Sequence, residues 1–424
     1  MSGVPVPTRR GRATGAGTLV VLVALVALVL AGCTPATPAA APRRGVPSVP
    51  AVAISGYTYH VPDPLPPGPP GRLLAASDLG PDPEIAGAER WELLYHSTDV
   101  DGRDIAVSGA LFVPPGPPPP GGWPVVSWGH GTTGMADRCA PSETANQYYD
   151  EYAQEVASFV RAGYAVAATD YPGLGTPGLH SYLIGVDEGN SMVDVVTASH
   201  TVDPGLSPDW FAVGHSQGGQ AVLFATRAAG RAPSLHLLAS VAVAPASGLS
   251  VILPAVLYLG DTSDLSYGVY SLIGLSAVDP SVDLDRLLGP AGRVRLPLIL
   301  VSGCLADSDA SFTGVTPSQI FDLTGAQVRS LSASLSAYGD PDLAPVDGPV
   351  LVVQGSTDQD VPPEATAQVV AHLQALGSDV TEKVYPGLDH DQVLGPSICA
   401  QLGWLADHGG RPLGHCVPYS TNLS

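Results

Sequence analysis

The stretch that most constrains this chain is Phe211-Ala212-Val213-Gly214-His215-Ser216-Gln217-Gly218-Gly219-Gln220. The apolar run Trp210 to Val213 reads as a buried strand. Gly-His-Ser-Gln-Gly follows, and Ala221 to Thr226 then reads as the start of a helix. Strand, G-x-S-x-G, helix is the pattern of a nucleophile elbow, a turn that lifts a serine hydroxyl above the end of a sheet. The turn is so tight that Gly214 and Gly218 are needed for room. It also aims the Gln217 N–H and the positive end of the helix at one point, where a developing oxyanion is stabilised. G-x-S-x-G alone arises often by chance, and a glycine-rich turn with an incidental serine is the plain alternative. The flanking strand and helix favour the catalytic reading.

The rest of the chain has the rhythm of a parallel sheet. Arg90 to Val113 reads as a hairpin with a type I′ turn at Asp101-Gly102. Strands follow at Pro124 to Trp128, Tyr164 to Tyr171, Leu237 to Ala244, Pro349 to Gly355 and Val380 to Val384. Helices are expected at Tyr149 to Ala162, Asn190 to His200, Ala365 to Leu376 and Ser397 to Leu405. Strands alternating with helices predict an α/β fold with a mostly parallel central sheet flanked by helices. Residues 56–246 and 347–424 form its two parts. Between them, residues 247–346 are apolar and rich in Ser, Leu and Gly, with helices read at Val251 to Leu259, Tyr267 to Leu275 and Val282 to Leu288. This is the place for a helical cap whose apolar underside shields an acyl chain; a purely structural insertion is the competing reading.

The strand Pro124 to Trp128 runs into Gly129-His130-Gly131-Thr132-Thr133-Gly134, where a second oxyanion donor belongs. The Thr132 N–H is the first choice and Thr133 the next, opposite Gln217. Downstream, His390 lies in the loop after the strand at Val380 to Val384, the position for the general base. His372 falls inside a helix, and His408 and His415 in the tail. For the acid that orients the base, Asp358 and Asp360 compete in the loop after Gly355, with Asp358 preferred.

The 424 residues carry a formal charge of −21, which argues against nucleic acid and against electrostatic attraction to anionic lipid. Arg9, Arg10 and Arg12 precede an apolar stretch from Leu19 to Ala31, the layout of a secretory signal. Leu30-Ala31-Gly32-Cys33 ends it like a bacterial lipobox, so residues 1–33 read as a signal with Cys33 lipidated. Ordinary cleavage near Ala39 to Ala41 is the alternative. Residues 34–55 are a Pro/Ala-rich tether, and Pro62 to Pro70 is a second proline-rich stretch along the domain surface. Apart from Cys33, four cysteines remain (Cys139, Cys304, Cys399, Cys416), an even number with no zinc-like spacing.

Ser216, Asp358 and His390 stand 142 and 32 residues apart. With Tyr95-His96-Ser97-Thr98, Gly129-His130-Gly131-Thr132, Cys139-Ala140-Pro141-Ser142 and the Gly355 to Pro362 run, residues 57–416 resemble the secretory lipase family of α/β hydrolases, the fungal lipase A type. The resemblance implies ester hydrolysis on lipids, a helical cap, and the disulfides Cys139–Cys304 and Cys399–Cys416, each stabilising by about 3–5 kcal/mol in a loop-entropy view. The expected protein is an extracytoplasmic serine hydrolase, anchored to the membrane at its N-terminus, acting on a lipid or other small ester without metal or organic cofactor. The alternatives are an acyltransferase or peptidase with the same triad, or a non-catalytic lipid-binding surface lipoprotein.

Overall fold

The computed structural model describes residues 59–259 and 262–420. The expected signal, Cys33 and the 34–55 tether lie outside the described residues. Among the described residues nine strands form a single sheet: β1 (Leu73–Asp82), β2 (Ala88–Thr98), β3 (Asp104–Val113), β4 (Trp123–Gly129), β5 (Ala165–Thr169), β6 (Leu206–His215), β7 (His236–Val243), β8 (Val350–Gly355) and β9 (Val380–Tyr385). Their spatial order is β1-β2-β3-β5-β4-β6-β7-β8-β9. The β1–β2, β2–β3 and β3–β5 pairs are antiparallel, and every pair from β5–β4 to β8–β9 is parallel. The central strands β4, β5 and β8 are apolar on both faces, as a sheet covered by helices on each side requires.

Twelve helices accompany the sheet among the described residues: α1 (Asp150–Arg161), α2 (Gly185–Val202), α3 (Gln217–Ala228), α4 (Leu249–Leu259), α5 (Thr262–Val278), α6 (Leu284–Leu287), α7 (Pro290–Ser302), α8 (Leu305–Phe312), α9 (Pro317–Ile320), α10 (Gly325–Gly339), α11 (Pro363–Ala375) and α12 (Leu394–Asp407). Side chains of α2, α3 and α11 pack one face of the sheet around Trp210, Met192 and Val352. Those of α1 and α12 pack the other face around Trp128, Phe159 and Phe211. The segment between β7 and β8 carries α4 to α10 and builds a third core of its own around Tyr270, Leu272, Ile273 and Phe312.

Three elements depart from the sequence reading. The edge strand β1 is absent from the sequence reading, and it contains Asp78, Gly80 and Pro81. An edge strand tolerates them, and the β1–β2 register shifts between Asp78 and Gly80. The β2–β3 connection is not a two-residue type I′ turn. It is the five-residue loop 99–103, in which only Gly102 has a positive φ (77°) and Asp99 Oδ1 accepts from the N–H groups of Asp101 and Arg103. The helix read over Val282 to Leu288 is the single turn α6, started by Asp283, whose side chain accepts from the Asp285 N–H. The second proline-rich stretch runs along this hairpin, with the Gly68 N–H donating to Asp104 Oδ2 at 3.0 Å.

Candidate active site

The four loops that matter leave the C-terminal ends of β4, β6, β8 and β9, so strand register brings them together. Gly129 at the end of β4 pairs with Gly214 at the end of β6. Ser216 follows β6 with φ 56° and ψ −116°, a conformation costly for a residue with a side chain. The turn is held from both sides: the Ser216 N–H donates to Val243 O at 2.9 Å, and its carbonyl accepts from Gln220 and Ala246, both at 3.0 Å. A Cβ at Gly218 would lie 1.9 Å from Gly129 O, and one at Gly214 would lie 2.4 Å from Gly218 O. Both glycines are therefore required by close backbone approach, and neither is there for a positive φ.

Asp358 and His390 meet. His390 Nδ1 lies 2.8 Å from Asp358 Oδ2, and both side chains are buried. The carboxylate is saturated with donors. Oδ2 also accepts from Gln354 Nε2 at 2.8 Å, and Oδ1 accepts from the N–H groups of Asp360 (3.0 Å) and Val361 (2.8 Å). Burial alone would raise the Asp358 pKa, but the bond and charge of His390 and these N–H groups hold it below the usual carboxylate range. Among the described residues Asp360 accepts from no amide of the turn; its own N–H is bound by Asp358. Asp360 lines the adjoining cavity, and burial raises its pKa.

Burial pulls the His390 pKa down, but the hydrogen bond and charge of Asp358, with Asp391 and Asp360 nearby, outweigh it and push the imidazole up to about 9. Ser216 and His390 line the same two cavities, with no direct hydrogen bond between their side chains among the described residues. Such bonds commonly close only when substrate is bound.

Thr132 faces the same space. Its Oγ1 is 2.8 Å from Tyr182 Oη, and its carbonyl accepts from Tyr149 Oη at 3.2 Å. Among the described residues, the N–H groups of Thr132 and Gln217 donate to no other group. The Gln217 side chain is held behind them, with Nε2 2.7 Å from Glu188 Oε1 and 3.1 Å from His180 Nε2. Glu188 is fully buried, and that burial pushes its carboxyl well up. Thr133, the second choice as donor, is like Gln217 not among the residues lining the two cavities, and its N–H likewise donates to no other group among the described residues; its carbonyl accepts from the Leu305 N–H at 2.8 Å.

Two cavities join at the serine. The smaller, about 100 Å³, is lined by Thr132, Tyr149, Tyr152 and Asp391. The larger, about 340 Å³, runs under the inserted helices between Leu249, Leu253, Val256 and Leu335. Ser216, Tyr267 and His390 line both. Candidate metal-ligand atoms of His215, His390 and Asp391 lie within 4.8 Å of one another. His215 Nε2 is, however, 3.1 Å from the His390 carbonyl, a bond in which only the N–H donates, so that nitrogen offers a metal no lone pair.

The cysteines pair as Cys139–Cys304 and Cys399–Cys416, the pairing the family resemblance implies. The first ties the loop after β4 to the start of α8, beside the isolated bridge between Gly134 and Cys304.

A family model described as the prolyl oligopeptidase family matches residues 312–402, a stretch holding Asp358 and His390 but not Ser216. No curated protein matches the sequence. Among solved structures, the rice cell wall degrading esterase LipA from Xanthomonas oryzae is 19% identical over 80% of this chain and 97% of its own, with a TM-score of 0.66. Lipase A from Candida antarctica is 18% identical over 84% of this chain and 87% of its own, with a TM-score of 0.67. The fold is that of a lipase A-type α/β hydrolase. Within that α/β-hydrolase frame, α4 to α10 lie in the chain between Ser216 and Asp358.

Sequence reasoning missed the polar residues that brace this α/β-hydrolase site. From the sequence, Tyr152 is only one residue of the helix expected over Tyr149 to Ala162, and His215 only a variable position of the elbow. Their signal was present in part: Tyr149 caps α1 and Tyr152 follows three residues on in its first turn, and both phenols reach the loop after β4. Glu188 meets Gln217 from 29 residues away, a pairing no local pattern marks, whereas the partners of Gln354 (Asp358, Val361 and Thr366) lie within 12 residues of it.

Proposed function

We propose that this chain is a serine carboxylic-ester hydrolase that cleaves esters of lipids, in the manner of a triacylglycerol lipase or carboxylesterase. The observation that carries the reading is the Asp358–His390 pair, whose histidine lines the same two cavities as the strained Ser216. His390 takes the Ser216 Oγ proton through Nε2 as the oxygen attacks the ester carbonyl. The Thr132 and Gln217 N–H groups receive the resulting oxyanion. His390 then returns the proton to the departing alcohol, leaving an acyl-Ser216 that water hydrolyses by the same route. Asp358 holds the imidazole in one tautomer and stabilises its charged form. The larger cavity, apolar and within the range of small-ligand sites (about 300–1,000 Å³), suits the acyl chain.

The lipobox-like Leu30 to Cys33 run supports an extracytoplasmic protein anchored through Cys33, and two disulfides fit an oxidising compartment. Ser216→Ala is expected to abolish turnover of p-nitrophenyl esters and labelling by a fluorophosphonate while leaving the melting temperature within a few degrees. Full turnover by a pure S216A sample would refute the reading. An ester panel of rising acyl length, run below and above substrate aggregation, separates the finer classes: a rate jump at the interface marks a lipase, and its absence a simple esterase. The prolyl oligopeptidase match favours one second reading, a peptidase with the same triad. An amide hydrolysed faster than its matching ester would select it.

A further inference from the structure

The smaller cavity is backed by a hydrogen-bonded chain that the acyl-transfer steps do not use. The Gly131 N–H donates to Tyr152 Oη at 3.0 Å. Tyr152 Oη is 2.9 Å from His215 Nδ1, and His215 Nε2 is 3.1 Å from the carbonyl oxygen of His390. The last contact fixes all the others. A carbonyl only accepts, so His215 carries its proton on Nε2. Its Nδ1 is then an acceptor, and the Tyr152 hydroxyl must donate to it while accepting from Gly131. One tautomer satisfies every member, and both side chains are buried.

We infer that Tyr152 and His215 are positioning residues, a relay that registers the oxyanion loop and the base loop onto the nucleophile turn. The inference rests on the acyl-serine chemistry proposed above. Gly131 precedes the oxyanion donor Thr132, His215 precedes the nucleophile, and the relay ends on the main chain of the base itself. Three loops that belong to different strands are thereby tied through two side chains.

Packing supports the assignment. A Cβ at position 131 would lie 2.2 Å from Tyr152 Oη, so glycine is what lets the phenol reach the loop. The Tyr152 ring is held edge-on against Trp128, centroids 5.7 Å apart. His215 has no nitrogen left for proton transfer with Ser216. Its other neighbour, Asp391 Oδ1, is 3.9 Å from Nε2, too far to compete for the proton. Burial lowers the His215 pKa to about 4, so the ring stays neutral at neutral pH.

Misplacing reacting groups by about 1 Å costs on the order of 100-fold in rate. Tyr152→Phe is therefore expected to lower kcat on a p-nitrophenyl ester 10- to 100-fold with KM changed less than twofold. His215→Leu should do the same. His215→Gln supplies both a carboxamide N–H and an acceptor oxygen, and should recover most of the loss. The Y152F/H215L double variant should be no slower than the slower single, because both break one relay. Wild-type turnover that disappears in S216A tests the hydrolase reading on its own. Histidine ¹⁵N shifts test the relay without any activity: His215 should be the Nε2–H tautomer and change on Tyr152→Phe. A Y152F kcat within threefold of wild type, multiplying losses in the double variant, or a His215 protonated at Nδ1 would each overturn the inference. Should H215L fail to fold, Tyr152→Phe and the shifts still decide.

Discussion

The parallel half of the sheet and the helical segment inserted between β7 and β8 meet at Ser216, and they are built by opposite rules. In the sheet, glycines permit backbone-to-backbone contacts, backbone hydrogen bonds clamp a strained serine, and each oxygen of the Asp358 carboxylate accepts from named donors. The insertion is built from helices of uneven length, the longest the 17-residue α5. Two are four residues long, and two longer ones carry prolines inside, Pro254 and Pro297. It leaves Val251 73% and Val294 77% exposed. A proline within a helix removes a hydrogen bond and bends it, so the insertion depends on packing more than on its own backbone ladder. The sheet fixes atoms for chemistry; the insertion supplies an apolar wall whose shape sets what reaches them.

The sharpest way to break the sheet's side of this comparison is at the acid. Asp358→Asn keeps the shape but offers His390 a carboxamide, which favours the wrong tautomer. A loss of about 10⁴ in kcat is expected, by analogy with triad aspartates elsewhere. Asp360→Asn, two residues on, should stay within about tenfold, because Asp360 touches the cavity and not the imidazole nitrogen. Equal losses in the two variants would contradict the assignment of Asp358.

The same contrast governs how much was legible beforehand. The elbow was readable because its steric demands are local: Gly214, Ser216 and Gly218 fall within five residues and sit between a strand and a helix. The separation of Asp358 from Asp360 was only a preference, since it depends on which carboxylate the β8 loop turns toward His390. In the insertion the apolar character was plain, yet α7 to α10 were not resolved individually. Pro297 sits inside α7, and small and apolar residues occur on most faces of these helices, so the helical period is weak. β1 escaped for a different reason: edge strands are allowed the residues that a sequence rule treats as breakers.

The insertion's covalent tie is the next test. Cys139–Cys304 closes a loop of 165 residues, for which loop entropy gives roughly 3–5 kcal/mol. The double variant Cys139→Ser/Cys304→Ser should lose stability of that order in denaturant unfolding. If the insertion opens before the sheet, the loss will appear as a separate early transition. A single transition with an unchanged midpoint would show that the disulfide holds nothing the packing does not already hold.

A smaller effect sharpens the division of labour. Leu253→Trp or Leu335→Trp fills the larger cavity without approaching the triad directly. Turnover of long-chain esters should fall about 10- to 100-fold, while acetate esters change less than threefold. This is the size of discrimination a hydrophobic pocket supplies for one or a few methylenes. Equal losses on both substrates would mean that the cavity does not hold the acyl chain.

The smallest effect lies in the pH profile, and its sign follows from the charges around the base. His390 must be neutral to accept the Ser216 proton, and its surroundings push its pKa from the ordinary 6.5 to about 9. Below that value kcat/KM should rise tenfold per pH unit, levelling above about pH 9. Folding feels the same shift in the other direction. A raised pKa stabilises the native state fully below about 6.5, and that stabilisation is lost as pH rises through 9. Activity should therefore climb as thermal stability declines over one pH window. Asp391 is 46% exposed at its side chain and contributes to the shift through charge alone, so solvent screens it. Asp391→Asn should move the activity limb down by less than one pH unit, and raising wild-type ionic strength to 1 M should move it the same way. A limb near 6.5 in the wild type, indifferent to both changes, would mean that the three carboxylates do not set the proton affinity of the base.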